Sequence, residues 1–131
     1  LQLFERLSAR EFVETIGALR QLEPDLVARR SAEMFDVLEI SSDADRPIAG
    51  YSHGMRKKTA LVAALLHRPR LVMLDEPTAA LDSKRAQLVL DLLRKLATEQ
   101  EACIVTVTHD EKIFDRFDRL IHLRDGRLVD A

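Results

Sequence analysis

Two adjacent carboxylates, Asp75 and Glu76, directly follow the apolar run Leu71–Leu74. Such a run, without polar alternation, is typical of a buried strand in a parallel sheet, where ligands bind beyond the carboxyl ends of the strands. Because side chains alternate across a strand, the two carboxylates are expected to have different roles. One can hold Mg²⁺ and the other can polarise an attacking water. A plain acidic turn before Pro77 explains these residues equally well when they are taken alone.

A histidine occupies the corresponding position after a second apolar run. The segment Cys103–Val107 predicts another buried strand, and His109 follows it at the same expected edge of the sheet. There the imidazole can hydrogen-bond a phosphate or the attacking water, although a surface or capping histidine is the simpler interpretation. Asp82, which follows the carboxylate pair, is by itself best interpreted as the N-cap of the next helix.

Positive charge is concentrated where a third helix is expected to begin. Ser52 can cap a helix whose first turns contain Arg56, Lys57 and Lys58. Cations at a helix N-terminus are disfavoured by about 0.3–1 kcal/mol each, unless that helix end binds an anion. Gly54 would let a phosphate approach the backbone closely. The segment therefore predicts an anion site, with a basic patch that serves only solubility as the alternative.

These residues require an α/β scaffold preceded by helices. Ser8 and Glu11 match a capping box, and Pro24 suits the first turn of a second helix. The strand–helix–strand order over residues 71–107 predicts parallel pairing, and Asp125-Gly126 predicts a terminal hairpin. The first two helices are expected to bury one apolar face each, made of Phe12, Val13, Ile16, Leu19, Leu26, Val27, Met34, Phe35 and Leu38.

Composition narrows the function classes. The 131 residues include 20 basic and 22 acidic side chains, and this balance argues against a protein that coats nucleic acid. The single cysteine, Cys103, cannot form an internal disulfide and is expected to be inert packing in its strand. The four glycines form no G-x-x-x-x-G-K-[ST] loop. Leucine at position 1 predicts a piece of a longer chain.

Four segments together resemble the nucleotide-binding domain of ABC (ATP-binding cassette) transporters. YSHGM at 51–55, LVMLDEP at 71–77, AALD at 79–82 and VTHD at 107–110 are similar, in order and spacing, to that family's signature, Walker B strand, D-loop and H-loop. The resemblance implies an α/β fold with a partial parallel sheet of P-loop NTPase type, preceded by an α-helical subdomain. Residues 1–67 would then be the helical subdomain, ending in the signature helix, and residues 68–131 the C-terminal half of the ATPase core.

The resemblance also implies roles for individual residues. Asp75 would organise Mg²⁺, Glu76 would orient or activate the hydrolytic water, and His109 would contact the γ-phosphate of ATP. Asp82 would help to couple the sites of two subunits.

The signature is expected to act on a second subunit. Ser52, His53, Gly54 and Met55 would bind the γ-phosphate of ATP held by that partner. His53 stands where the family usually has glycine, and Met55 stands where it usually has glutamine. Similar YS-x-GM signatures are familiar in export and multidrug cassettes, so these differences are interpreted as variation within the family.

The resemblance implies that ATP is hydrolysed at the interface of a head-to-tail dimer. This dimer would lie at the cytoplasmic face of a membrane and drive a permease subunit, with export as the expected direction. The chain alone lacks a Walker A loop, so we expect it neither to bind ATP tightly nor to hydrolyse it, and we expect its uncovered sheet to self-associate.

Two alternative functions remain. One is the C-terminal lobe of a chromosome-maintenance or DNA-repair ATPase, which the lack of a sustained heptad in residues 1–50 disfavours. The other is a non-catalytic interaction module.

Overall fold

The computed structural model describes residues 4–79 and 81–129. Three helices come first, followed by two strands that flank a fourth helix, and then by a hairpin. The elements are α1 (Ala9–Leu19), α2 (Pro24–Val37), α3 (His53–Leu65), β1 (Leu71–Asp75), α4 (Ser83–Glu99), β2 (Cys103–Val107), β3 (His122–Arg124) and β4 (Arg127–Val129). Short 3₁₀ turns lie at Ser41–Asp43, Ile48–Gly50 and Glu111–Arg116. No described helix is long and apolar enough to cross a bilayer.

The helices begin where their capping residues predict. Ser8 and Glu11 form the complete capping box at α1, in which each side chain bonds the backbone of the other residue. Ser52 accepts from the Met55 amide at the start of α3, and Asp82 accepts from the Arg85 amide at the start of α4. These three caps satisfy backbone donors that would otherwise lack partners.

One hydrophobic cluster joins the helical first half to β1 and α4. Its largest fully buried side chains are Phe35, Leu38, Ile40, Leu66, Val13, Val62 and Val89. The prediction that Leu19 belongs to the buried face of α1 is wrong, because this side chain at the end of the helix is 74% exposed. Helix α3 ends at Leu65, slightly before the predicted His67.

The parallel pairing of β1 with β2 is confirmed, and Leu71 lies opposite Cys103 while Asp75 lies opposite Val107. The prediction that both strands are buried is wrong. One face of the pair packs against the helices, while the other face carries Leu71, Met73, Cys103, Val105 and Val107 in exposed positions. We call these five residues the open sheet face.

Cys103 is therefore an exposed free thiol and is not inert packing. The apolar runs predict burial on both sides, but no described element covers the open sheet face. The terminal hairpin is confirmed, with Gly126 in the left-handed region at φ 73°. Its first strand begins at His122, so Leu120 and Ile121 lie before it, and both are exposed.

Gly17 allows α1 and α2 to pack closely. A Cβ at this position would lie 2.5 Å from Val27 Cγ2, and Val27 is only 3% exposed. We expect Gly17→Ala to lower the free energy of unfolding by about 1–3 kcal/mol, because the added methyl overpacks a branched and buried neighbour. Urea denaturation measures this difference.

Gly50→Ala is the matched control, because its new Cβ would come no closer than 3.9 Å to Arg46. We expect this variant to stay within about 0.5 kcal/mol of the parent. Equal stability of the two variants would show that Gly17 is not needed for close packing.

Candidate functional site at the carboxyl edge of the sheet

Glu76 and His109 meet just beyond the carboxyl ends of β1 and β2. The Nδ1 atom of His109 lies 2.6 Å from Glu76 Oε1, and the His109 amide donates to the same oxygen at 3.0 Å. The Thr108 hydroxyl donates to Glu76 Oε2 at 3.1 Å. Both carboxylate oxygens are thus engaged, and the imidazole extends outward, with its side chain 89% exposed.

The backbone at Glu76 takes an uncommon conformation. Its φ of 47° lies in the left-handed region, which side chains other than glycine seldom adopt. The Glu76 amide donates to the Val107 carbonyl at 2.9 Å, and the Glu76 carbonyl accepts from the Ala79 amide at 3.1 Å. These bonds turn the chain sharply after β1, so that the Glu76 side chain is directed toward the end of β2.

The surroundings of Glu76 favour its ionised form. Burial raises the pKa of the Glu76 carboxyl, but hydrogen bonds from His109 and Thr108 outweigh it and hold the pKa below its ordinary value. Glu76 is therefore a carboxylate at neutral pH. Because the folded-state pKa is depressed, this group contributes stability at neutral pH, and the contribution is lost as the pH falls through that pKa.

Asp75 ends β1 with an exposed side chain. No three His, Cys, Asp or Glu side chains of the described residues are grouped as a metal cage. A single exposed carboxylate still fits Mg²⁺, which proteins usually hold through one or two carboxylates, with waters and substrate phosphates completing the shell. Asp75 could supply that carboxylate.

The signature residues lie at the N-terminus of α3. Ser52 and His53 are exposed, while Gly54 and Met55 are partly buried. The first turn of α3 contains no acidic residue, so its backbone donors and positive dipole end are not neutralised by a carboxylate within that turn. A cavity of about 140 Å³ adjoins this turn, and its lining includes Ser52, Gly54 and Met55 together with two acidic and two basic residues, Glu39, Asp43, Lys58 and Arg85.

The three cations that follow the signature do not point toward an anion site, contrary to expectation. Arg56 bonds Glu5 at 2.7 Å and the Ala49 carbonyl at 3.0 Å. Lys57 donates to the Glu76 carbonyl at 3.0 Å. Lys58 is 3% exposed and donates to the Leu38 carbonyl at 2.6 Å, and its pKa is lowered by burial and by nearby Arg85. Each cation thus has a partner within the fold, and the backbone donors at the N-terminus of α3 are left as the candidate anion-binding element.

Asp82 lies at the start of α4 as its N-cap. Its carboxylate accepts from the Arg85 amide at 2.9 Å, and Arg85 Nη1 lies 3.2 Å from the other oxygen. The Arg85 amide holds the pKa of Asp82 below its ordinary value. Asp82 is therefore the N-cap that its local sequence predicts. Ala80, within the D-loop motif, lies outside the described residues.

Sequence reasoning did not identify two residues that hydrogen-bond Glu76, namely Thr108 and Lys57. Thr108 was part of the H-loop motif, and its position directly after β2 was the available signal for its contact with Glu76. The sequence places Lys57 in the segment that predicts an anion site. No local pattern pointed to its actual partner, the Glu76 carbonyl, because that contact spans 19 positions along the chain.

This arrangement of strands, helices and edge residues is that of an ATPase cassette with the P-loop NTPase fold. A solved structure of the ATP-binding cassette MJ0796, a dimer in a post-hydrolysis state bound to ADP and Pi, matches with a TM-score of 0.83 and 29% identity. The match covers 95% of this chain and 55% of that one.

The chain belongs to the ABC transporter family, whose model matches residues 1–79. The lipoprotein-releasing system ATP-binding protein LolD of Pseudomonas fluorescens is 37% identical over 101 residues, covering 77% of this chain and 44% of the relative. The uncharacterised ABC transporter ATP-binding protein YvcR of Bacillus subtilis is 34% identical over 125 residues, covering 95% of this chain and 48% of the relative. The chain thus spans about half the length of the curated relatives that it matches.

Proposed function

We propose that this chain supplies the signature and the hydrolytic residues of an ABC transporter ATPase subunit. The observation that carries the proposal is the meeting of Glu76 and His109 beyond two parallel strands, in a chain of this family. In the complete subunit, residues 1–67 form the helical subdomain and residues 68–131 form half of the ATPase core. The Walker A loop comes from the remainder of the subunit.

In the reaction, Glu76 orients the water that attacks the γ-phosphate of ATP. Its depressed pKa makes it a weak proton acceptor, which favours orientation of the water over complete removal of its proton. His109 has an exposed imidazole that can reach a phosphate oxygen while its Nδ1 atom stays on Glu76. Asp75 would hold Mg²⁺, which neutralises phosphate charge when it is bound.

The N-terminus of α3 completes the site of a second subunit in a head-to-tail dimer. The MJ0796 cassette is dimeric in its solved structure, which supports association of two subunits. Backbone donors around Gly54, together with the Ser52 hydroxyl, bind the γ-phosphate held by the partner, and Asp82 helps to couple the two sites. ATP hydrolysis drives a membrane permease, so the subunit lies at the cytoplasmic face of the membrane. Export is the direction proposed from the signature residues alone, because the relatives' names include both a lipoprotein-releasing and a putative hemin import ATP-binding protein.

A charge change at His53 separates this function from folding. An acidic residue in the first turn of a helix stabilises that helix by about 0.3–1 kcal/mol, whereas it repels an incoming phosphate. We therefore expect His53→Glu, in the complete subunit, to keep or raise the melting temperature and to abolish dimerisation driven by ATP. Light scattering with and without Mg-ATP measures the dimer.

His53→Gln is the matched control, because it changes the same exposed side chain without adding negative charge. We expect this variant to dimerise like the parent. Full dimerisation of the glutamate variant would exclude phosphate binding at this helix end.

A further inference from the structure

One hydrogen bond joins the signature helix directly to the segment that carries Glu76. Lys57 lies on the second turn of α3, and its Nζ atom donates to the Glu76 carbonyl at 3.0 Å. The lysine is partly buried, so this bond is shielded from water to a greater degree than an ordinary surface contact. The helix proposed to bind one nucleotide is thus hydrogen-bonded to the residue proposed to assist the hydrolysis of another.

Helix α3 is held firmly enough to transmit position along this bond. The neighbouring Lys58 donates to the Leu38 carbonyl at the carboxyl end of α2, where a cation is favourable. Arg56 is bonded to Glu5 and to the Ala49 carbonyl. Hydrogen bonds to several other segments therefore hold the first two turns of α3 in place. The Lys57 bond adds a contact with the end of β1.

The receiving carbonyl belongs to a strained residue. Glu76 has a positive φ, and such conformations persist when surrounding contacts determine them. Its amide is held by Val107 and its carbonyl by Ala79 and Lys57. Rotation about the N–Cα bond of Glu76 would displace this carbonyl and redirect the Glu76 side chain away from Thr108 and His109.

We propose that Lys57 is a positioning residue that keeps the Glu76 carboxylate in place and couples it to the position of the signature helix. The proposal rests on the function proposed above. Movement of α3 on binding a phosphate would act through the Lys57 bond on the Glu76 peptide of the same chain. One nucleotide site would thereby affect the hydrolytic group of the other.

The first test does not require ATP. The His109 amide donates to Glu76 Oε1, so its hydrogen exchange reports whether the carboxylate is in place. We expect Lys57→Met to accelerate this exchange about tenfold and Lys57→Arg to restore it, while the Val13 amide in the core of α1 stays unchanged in both variants. Lys95→Met, which removes an exposed cation from α4, should match the parent at both amides.

The second test uses the ATPase activity of the complete subunit. We expect Lys57→Met to lower kcat about tenfold with KM and ATP-driven dimerisation unchanged, and Lys57→Arg to recover the rate. A structural role alone would reduce binding and turnover together and would also accelerate exchange at Val13.

The outcomes separate the two proposals. Parental exchange at His109 in the methionine variant, faster exchange at Val13, or failure of arginine to restore the parental values would each overturn the role of Lys57. A complete subunit without ATPase activity would instead overturn the proposed function, while exchange at His109 would still report on the Lys57 contact.

Discussion

Glu76→Gln should reduce ATP turnover by the complete subunit about 10²–10⁴-fold, the range expected when a group that assists proton transfer is lost. Glutamine has nearly the same shape and can still accept from the His109 amide, but it has no charge with which to orient and polarise water. Nucleotide binding should be retained, because Glu76 would act on water and not on the adenine or the phosphates. The variant should therefore accumulate as dimers that contain unhydrolysed ATP.

Phosphate release and size-exclusion chromatography with Mg-ATP measure these two effects. Glu111→Gln is the matched control, because it removes an exposed carboxylate close to His109 in sequence. We expect this control to turn over like the parent and to show no trapped dimer. Undiminished hydrolysis by the Glu76→Gln variant would remove Glu76 from the role of water-orienting group.

Features that depend on neighbouring residues in sequence could be predicted well. The caps at Ser8, Ser52 and Asp82 were recognisable because a side-chain oxygen bonds a backbone amide only a few residues away. The pairing of β1 with β2 followed from two apolar runs separated by a helical segment. The position of His109 beside Glu76 followed in turn, because parallel strands end at the same edge.

Features that depend on distant partners could not be predicted. The cations after Ser52 suggested an anion, yet Arg56 and Lys58 bond acceptors 51 and 20 positions away. No pattern within one helix reveals such partners. A lysine can be buried when its ammonium group donates a hydrogen bond to a carbonyl. The charge of Lys58 therefore does not exclude this residue from the core.

The open sheet face shows a different kind of limit. An apolar strand indicates that both faces are covered in the complete fold, but it does not indicate which segment covers them. Met73 is 74% exposed, and Val107 is 62% exposed. Their exposure agrees with a chain that corresponds to about half of its relatives. We propose that the rest of the subunit, including the Walker A loop, packs on this face.

That packing predicts the behaviour of the 131-residue chain by itself. We expect it to bind Mg-ATP at least about a hundredfold more weakly than the complete subunit, a difference of about 2.7 kcal/mol, because the phosphate-cradling loop is lacking. We also expect it to self-associate through the open sheet face as its concentration rises. Calorimetric titration measures the first property and sedimentation velocity the second.

Met73→Lys tests whether this face is responsible. Lysine at an exposed position leaves the fold of the chain intact, and its charge opposes burial of the face against any apolar partner. We expect this variant to remain monomeric in isolation and to lose ATP binding in the complete subunit, where the same face must be covered. Leu19→Lys is the matched control, because Leu19 is equally exposed, at 74%, and lies on α1 away from the sheet. Association and ATP binding unaffected by Met73→Lys would show that the subunit is completed at another surface.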